Sequence, residues 1–148
     1  SLYVDDVVVD DVVVDDVVVD DLSGQSLIGA DLSHKNLQGA DLSYSNLQQA
    51  DLTGADLTGA DLTGADLTLA DLNAANLNLA NLTGADLRGS NLLGAILTGA
   101  DLTGALASDM TNIDGANLSG AIMSEEYVSG AVGCGTTMPD GSTLNNGC

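Results

Sequence analysis

The chain has 148 residues, a length suited to one domain, and carries 22 Asp and Glu against 2 Lys and Arg, a formal net charge of −20. So few cations exclude direct nucleic-acid binding and disfavour anionic membrane surfaces, leaving a basic partner, a cation or plain solubility. Apolar residues reach 45%, which excludes the low-hydrophobicity signature of disorder, yet the only aromatics are three Tyr, so the core must be narrow, uniform and built of Leu and Ala.

Residues 5–21 read DDVVVDDVVVDDVVVDD, with a period of five. In the phase of the leucines that follow, Val7, Val12 and Val17 would be central inward residues. Asp5, Asp10, Asp15 and Asp20 would then also point inward, at a heavy desolvation cost. A shifted phase centred on Val9, Val14 and Val19 turns the Asp pairs outward, but requires a break near Asp20 and Asp21. Three readings stay open: an idealised or engineered capping stretch, a natural coil in the shifted phase, or a poorly ordered or arbitrarily assigned segment.

From Leu22 to Leu102 a leucine recurs every five residues without a break. Two residues earlier stands a small residue, as at Ala50, Ala55, Ala60 and Ala65 ahead of Leu52, Leu57, Leu62 and Leu67. Asp or Asn lies between the two; Thr or Ser and then Gly often follow, so the unit is A-(D/N)-L-(T/S)-G. A period of five is neither that of a helix nor that of a strand. It requires a corner in every unit, and Gly suits a turn with positive φ. The Leu and the small residue point inward; the Asp or Asn points to water. Such sides would close into coils, and stacked coils, about 4.8 Å apart, would share one core.

These units closely resemble the pentapeptide-repeat family. The resemblance implies an all-β, right-handed quadrilateral β-helix. It also implies a non-enzymatic scaffold, because many members have no known biochemical activity. Some members mimic B-DNA and act on gyrase. Duplex DNA carries about one charge per 1.7 Å, and two or three Asp per rung would approach that density. Those mimics resemble longer rods with Phe at the central site, and this chain has no Phe.

The family phase predicts stacked carboxylates: Asp31, Asp51 and Asp71 on one side, Asp41 and Asp61 with Asp21 and Asp101 on another. They are read as solubilising acidic faces. Weak Ca²⁺ binding on these ladders is a second alternative to the scaffold reading, although Ca²⁺ takes about six to eight oxygens. His34, the only histidine, falls on a corner without a ligand or base partner, and no Ser or Thr has a His partner. No catalytic residue, metal site or cofactor is expected. Lys35 falls on an inward site, its stem expected to pack while its ammonium escapes. Leu69, Leu79 and Ile96 fall on outward positions and could form a small apolar patch.

After Leu102 the unit weakens, and Ile113 follows Ala107 by six residues, so one extra residue is expected near Ser108 to Asn112. Units resume at Leu118 and Met123. The reading places a β-helix over 1–124, with 1–21 atypical, and a C-terminal cap over 125–148. Tyr127 and Val128 are expected to close the top coil with Met123. Cys134 and Cys148 bracket a polar Pro/Gly/Asn-rich segment and are expected to form a disulfide, which suits an oxidising compartment.

No apolar run reaches transmembrane length and no signal peptide is read, so no membrane insertion is expected of what is either a cytosolic protein or an already trimmed mature form. The cap, the cysteines and the MPDGS segment resemble pentapeptide proteins of photosynthetic organisms, which favours the periplasm or thylakoid lumen over the cytoplasm. The expected partner is a protein of unknown identity, bound by a monomer or a dimer.

Overall fold

The computed structural model describes residues 21–124 and 130–148. The VVVDD stretch before Asp21, with Asp5, Asp10, Asp15 and Asp20, lies outside the described residues, as do Tyr127 and Val128.

Each unit forms one side of a square coil. Parallel bridges join outward residues 20 apart, as in Asp21–Asp41–Asp61–Asn81–Asp101 and Asp31–Asp51–Asp71–Asn91. Four units therefore make one turn. The unit around Leu62 shows where the backbone hydrogen bonds go. Asp61 donates its amide to Ala40 O one coil below (2.9 Å), while Leu62 and Gly64 donate to Asn81 O (2.7 Å) and Thr83 O (2.9 Å) one coil above. Ala65 donates back to Leu62 O (3.0 Å) and closes the corner. The fifth amide, that of Thr63, has no backbone acceptor in this pattern. Asp61 Oδ1 accepts it at 2.9 Å. This is the physical reason for Asp or Asn before the Leu: a short side chain ending in oxygen completes the unit.

Leu52, Leu57, Leu62 and Leu67, with Ala50, Ala55, Ala60 and Ala65, have no solvent exposure. The core is one continuous column of this kind, from Leu27 to Ala131. Where a hydroxyl occupies the small site it is buried but bonded: Ser45 and Ser90 donate to Leu42 O and Leu87 O, both at 2.7 Å. Lys35 is half-buried at its small site and Met123 packs half-buried against the column.

Every regular corner places its second residue at positive φ. Gly fills most of these positions, but His34, Tyr44, Gln49, Leu69, Ala74 and Leu79 adopt φ between 55° and 60°. The bulky ones share a device. His34, Tyr44, Leu69 and Leu79 each lean over the glycine one coil later, so that a Cβ on Gly64 would lie 2.7 Å from the Tyr44 ring, and one on Gly99 would lie 2.9 Å from Leu79. A Gly64→Ala change therefore meets both backbone strain at φ +62° and the ring, whereas Gly59→Ala meets only φ +66° in open space. Gly59→Ala is expected to cost about 1 kcal/mol and Gly64→Ala about 2 kcal/mol. Adding Tyr44→Ala should remove the surplus, as a double-mutant cycle followed by thermal unfolding would read.

The bridge spacing changes from 20 to 21 in the three pairs Asn91–Asn112, Ile96–Asn117 and Asp101–Ile122, so one extra residue lies between Leu106 and Asn112. Thr111 mends the ladder there. Its hydroxyl donates to Leu87 O (2.9 Å) and accepts the amides of Ser108 (3.0 Å) and Gly89 (3.2 Å), the second of which would otherwise reach a backbone carbonyl.

The ladder has one more rung among residues 130–148: Asn112 bridges Val132 and Asn117 bridges Thr137. Strand β1 (Cys134–Thr137) then turns back through an antiparallel pairing with β2 (Thr143–Asn145). A disulfide joins Cys134 to Cys148.

Candidate functional site

The feature that could meet a partner is the pair of acidic ladders. Asp31, Asp51 and Asp71 share one face; Asp21, Asp41, Asp61 and Asp101 share another. The two sets are ten residues apart in a 20-residue coil, so they lie on opposite faces. Asp31 and Asp51 are exposed, while Asp41, Asp61 and Asp71 are half-buried along the rod. The faces grow less acidic toward the C-terminus. Above Asp71 stand Asn91, Asn112 and Val132, and beside Asp61 and Asp101 stands Asn81. Asparagine supplies donors between rungs where stacked carboxylates would repel. Asn91 Nδ2 donates to Asp71 Oδ1 at 3.1 Å, and Asn81 Nδ2 donates to Thr63 Oγ1 at 2.9 Å.

The carboxylates are structural as well as charged. Asp21, Asp31 and Asp101 are held below the ordinary value of 3.8, first by the hydroxyl two residues on and then by its amide. Asp86 is lowered first by hydrogen bonds from Arg88, with which it forms the only ion pair among the described residues. For Asp56 and Asp66 burial pushes upward, but bonds from Thr58 and Thr68 and from Gln38 and Gln48 together outweigh it. A folded-state value below the unfolded one contributes stability that is complete above the unfolded pKa and is lost as pH falls through the folded value. The melting temperature is therefore expected to be level from about pH 7 to pH 5 and to fall below about pH 4. A melting temperature that rises below about pH 4 would mean that relief of charge repulsion dominates instead.

The ladders offer few free oxygens to a cation. One oxygen of each ladder carboxylate is committed to its own turn, which leaves one per rung, far from the about six to eight that Ca²⁺ takes. Among the described residues no three His, Cys, Asp or Glu side chains gather where they could hold a metal ion. His34 is exposed on its corner. Among the described residues no helix is long and apolar enough to cross a membrane.

The apolar patch expected of Leu69, Leu79 and Ile96 does not form as one surface. Leu69 and Leu79 are ten residues apart, half a coil, and occupy diagonal corners of the square. Leu69 and Met110 both border Gly89 instead, and both are exposed.

The sequence profile of pentapeptide repeats matches eight copies over residues 21–43, 36–73 and 66–104. The chain belongs to the pentapeptide repeat family. Its fold is accordingly the right-handed quadrilateral β-helix of that family. A solved pentapeptide repeat protein from the Arabidopsis thaliana thylakoid lumen is 38% identical at a TM-score of 0.57, over 67% of this chain and 65% of that one. Another, from the cyanobacterium Cyanothece 51142, is 30% identical at a TM-score of 0.50, over 70% of this chain and 86% of that one. No curated protein matches the chain.

Asn145 and Asn146 escaped the reading of the residues. Both sit in the tail, where their carboxamides bond the top rung of this pentapeptide repeat protein. The only sequence signal was a pair of amides beside a cysteine.

Proposed function

We propose that this pentapeptide repeat protein is a non-enzymatic scaffold that presents two rigid acidic faces to a basic protein partner. The observation that carries the reading is the placement of Asp31, Asp51 and Asp71 opposite Asp41, Asp61 and Asp101 on a rod whose backbone amides are almost all bonded. Such faces neither flex nor reorganise on binding, so charge complementarity governs which partner docks and how fast. The disulfide and the lumenal relative support a home in the thylakoid lumen or periplasm. Residues 125–148 act as the cap of the 1–124 solenoid in this reading.

DNA mimicry is the competing reading, and the loss of acid above Asp71 on one face weighs against it. Affinity capture from the native compartment tests the proposal. The chain is compared with Asp31→Asn/Asp51→Asn/Asp71→Asn and with Asp41→Asn/Asp61→Asn/Asp101→Asn. A basic protein retained by the wild type and lost from one triple variant supports it. Retention that neither variant alters, or inhibition of gyrase supercoiling at micromolar protein, overturns it.

A further inference from the structure

In the repeating pattern, three groups of a coil reach upward: the carbonyl of the small residue, the amide of the central residue and the amide of the corner residue. On the last rung these are Ala131 O, Gly133 N and Gly135 N. No further coil follows on this side, yet all three are bonded. Asn146 Nδ2 donates to Ala131 O at 3.0 Å, and Asn146 Oδ1 accepts from Gly133 N at 2.8 Å. One carboxamide thus makes the two bonds that the outward residue of another coil would make with its own amide and carbonyl. Asn145 Oδ1 accepts from Gly135 N at 2.9 Å, in place of the next corner carbonyl. Gly147 N donates to Gly133 O at 3.1 Å.

This side-chain rung lies just ahead of Cys148. What ties it down covalently is the Cys134–Cys148 bond, one residue beyond Gly147. Both cysteines are exposed, so a soluble thiol can reach them. We propose that the Cys134–Cys148 disulfide is a redox latch that holds the Asn145–Asn146 side chains as a surrogate rung, so that reduction opens the top edge of the β-helix.

The chemistry needs a dithiol reductant. Its thiolate attacks one sulfur of the Cys134–Cys148 bond, that bond breaks, and a mixed disulfide forms. The second thiol of the reductant then displaces the protein sulfur. Two electrons and two protons have passed to Cys134 and Cys148, which become thiols, and the reductant leaves as a disulfide. The closed loop is short, so its loss raises the population of the released tail by on the order of a hundredfold. A released tail leaves Ala131 O, Gly133 N and Gly135 N as an unpaired parallel edge, which is a template for pairing.

Amide hydrogen exchange on the full chain, oxidised and after dithiothreitol, tests the latch, with mass spectrometry reporting the thiol state. In the reduced chain the amides of Gly133 and Gly135 are expected to exchange at least tenfold faster, while those of Leu62 and Gly64 keep their protection. In the oxidised chain, Asn146→Ala is expected to speed exchange at Gly133 with the disulfide intact. The proposal is overturned if dithiothreitol leaves the bond unreduced in the folded chain, if reduction leaves both glycines protected, or if exchange rises equally at Leu62. Unchanged protection of Gly133 in Asn146→Ala overturns it as well.

Discussion

Leu62→Ala lowers the stability of the folded chain by about 2–5 kcal/mol, the range for a leucine removed from a core that cannot collapse. Leu62 has no solvent exposure. Its rung is pinned from both sides, since Asp61 N binds Ala40 O below and Leu62 N binds Asn81 O above. The walls therefore cannot close on the cavity, and the loss should lie toward the upper end of the range. Leu22→Ala supplies the comparison. Leu22 is half-buried in the first described coil, so its truncation removes less apolar contact and should cost clearly less. Urea unfolding of the two variants reads the difference. A cost for Leu62→Ala below about 1 kcal/mol would show that the coils slide or repack, contrary to a rigid ladder.

Ala65→Asp and Asp66→Ala form the second test. The two positions are adjacent, but one faces the column and the other faces water. Ala65 has no exposure and lies among leucines. A carboxylate there has no donor and no room to reach solvent, so the change should cost several kcal/mol or unfold the coil at neutral pH. Asp66 is only half-buried, so Asp66→Ala removes no core packing. It takes away the acceptor of Thr68 N (3.0 Å), a half-buried amide, and the partner of Gln48 Nε2 (2.6 Å), a side chain that can turn to water. About 0.5–1.5 kcal/mol is expected. Circular dichroism and thermal melts separate the outcomes, and equal costs at the two positions would contradict the assignment of inside and outside.

Much of the fold was legible in the residues because each unit states its own environment. Leucine every fifth residue, a small residue two before it and Asp or Asn between them correspond to the interior column and the outer ladder one for one. The extra residue before Ile113 was visible as a spacing of six, and it appears as the 21-residue bridges. What could not be read is whatever depends on the neighbouring coil. The pairing of Tyr44 with Gly64 and of Leu79 with Gly99 spans 20 residues, so neither unit looks unusual alone. The same distance rule broke the expected apolar patch, because outward positions ten residues apart point in opposite directions. Asn146 is less legible still. Its carboxamide imitates a peptide group only because the tail folds back onto the last rung. Thr111 reads as one more hydroxyl in a hydroxyl-rich chain, and its three bonds exist only where the extra residue interrupts the ladder.

Opposed acidic faces, corner pairing and the surrogate rung all rest on one geometric relation: residues 20 apart are neighbours and residues ten apart are on opposite faces. Engineered cysteines test it directly. Asp61 and Asn81 are bridge partners, and the about 4.8 Å between rungs falls within the span of a disulfide. Asp61→Cys/Asn81→Cys, oxidised while folded and mapped by mass spectrometry, is predicted to link those two positions and leave Cys134–Cys148 intact. Asp61→Cys/Asp71→Cys, treated alike, is predicted to give no link between 61 and 71. Ready linkage of 61 to 71, or failure of 61 to link to 81, would contradict the four-sided coil.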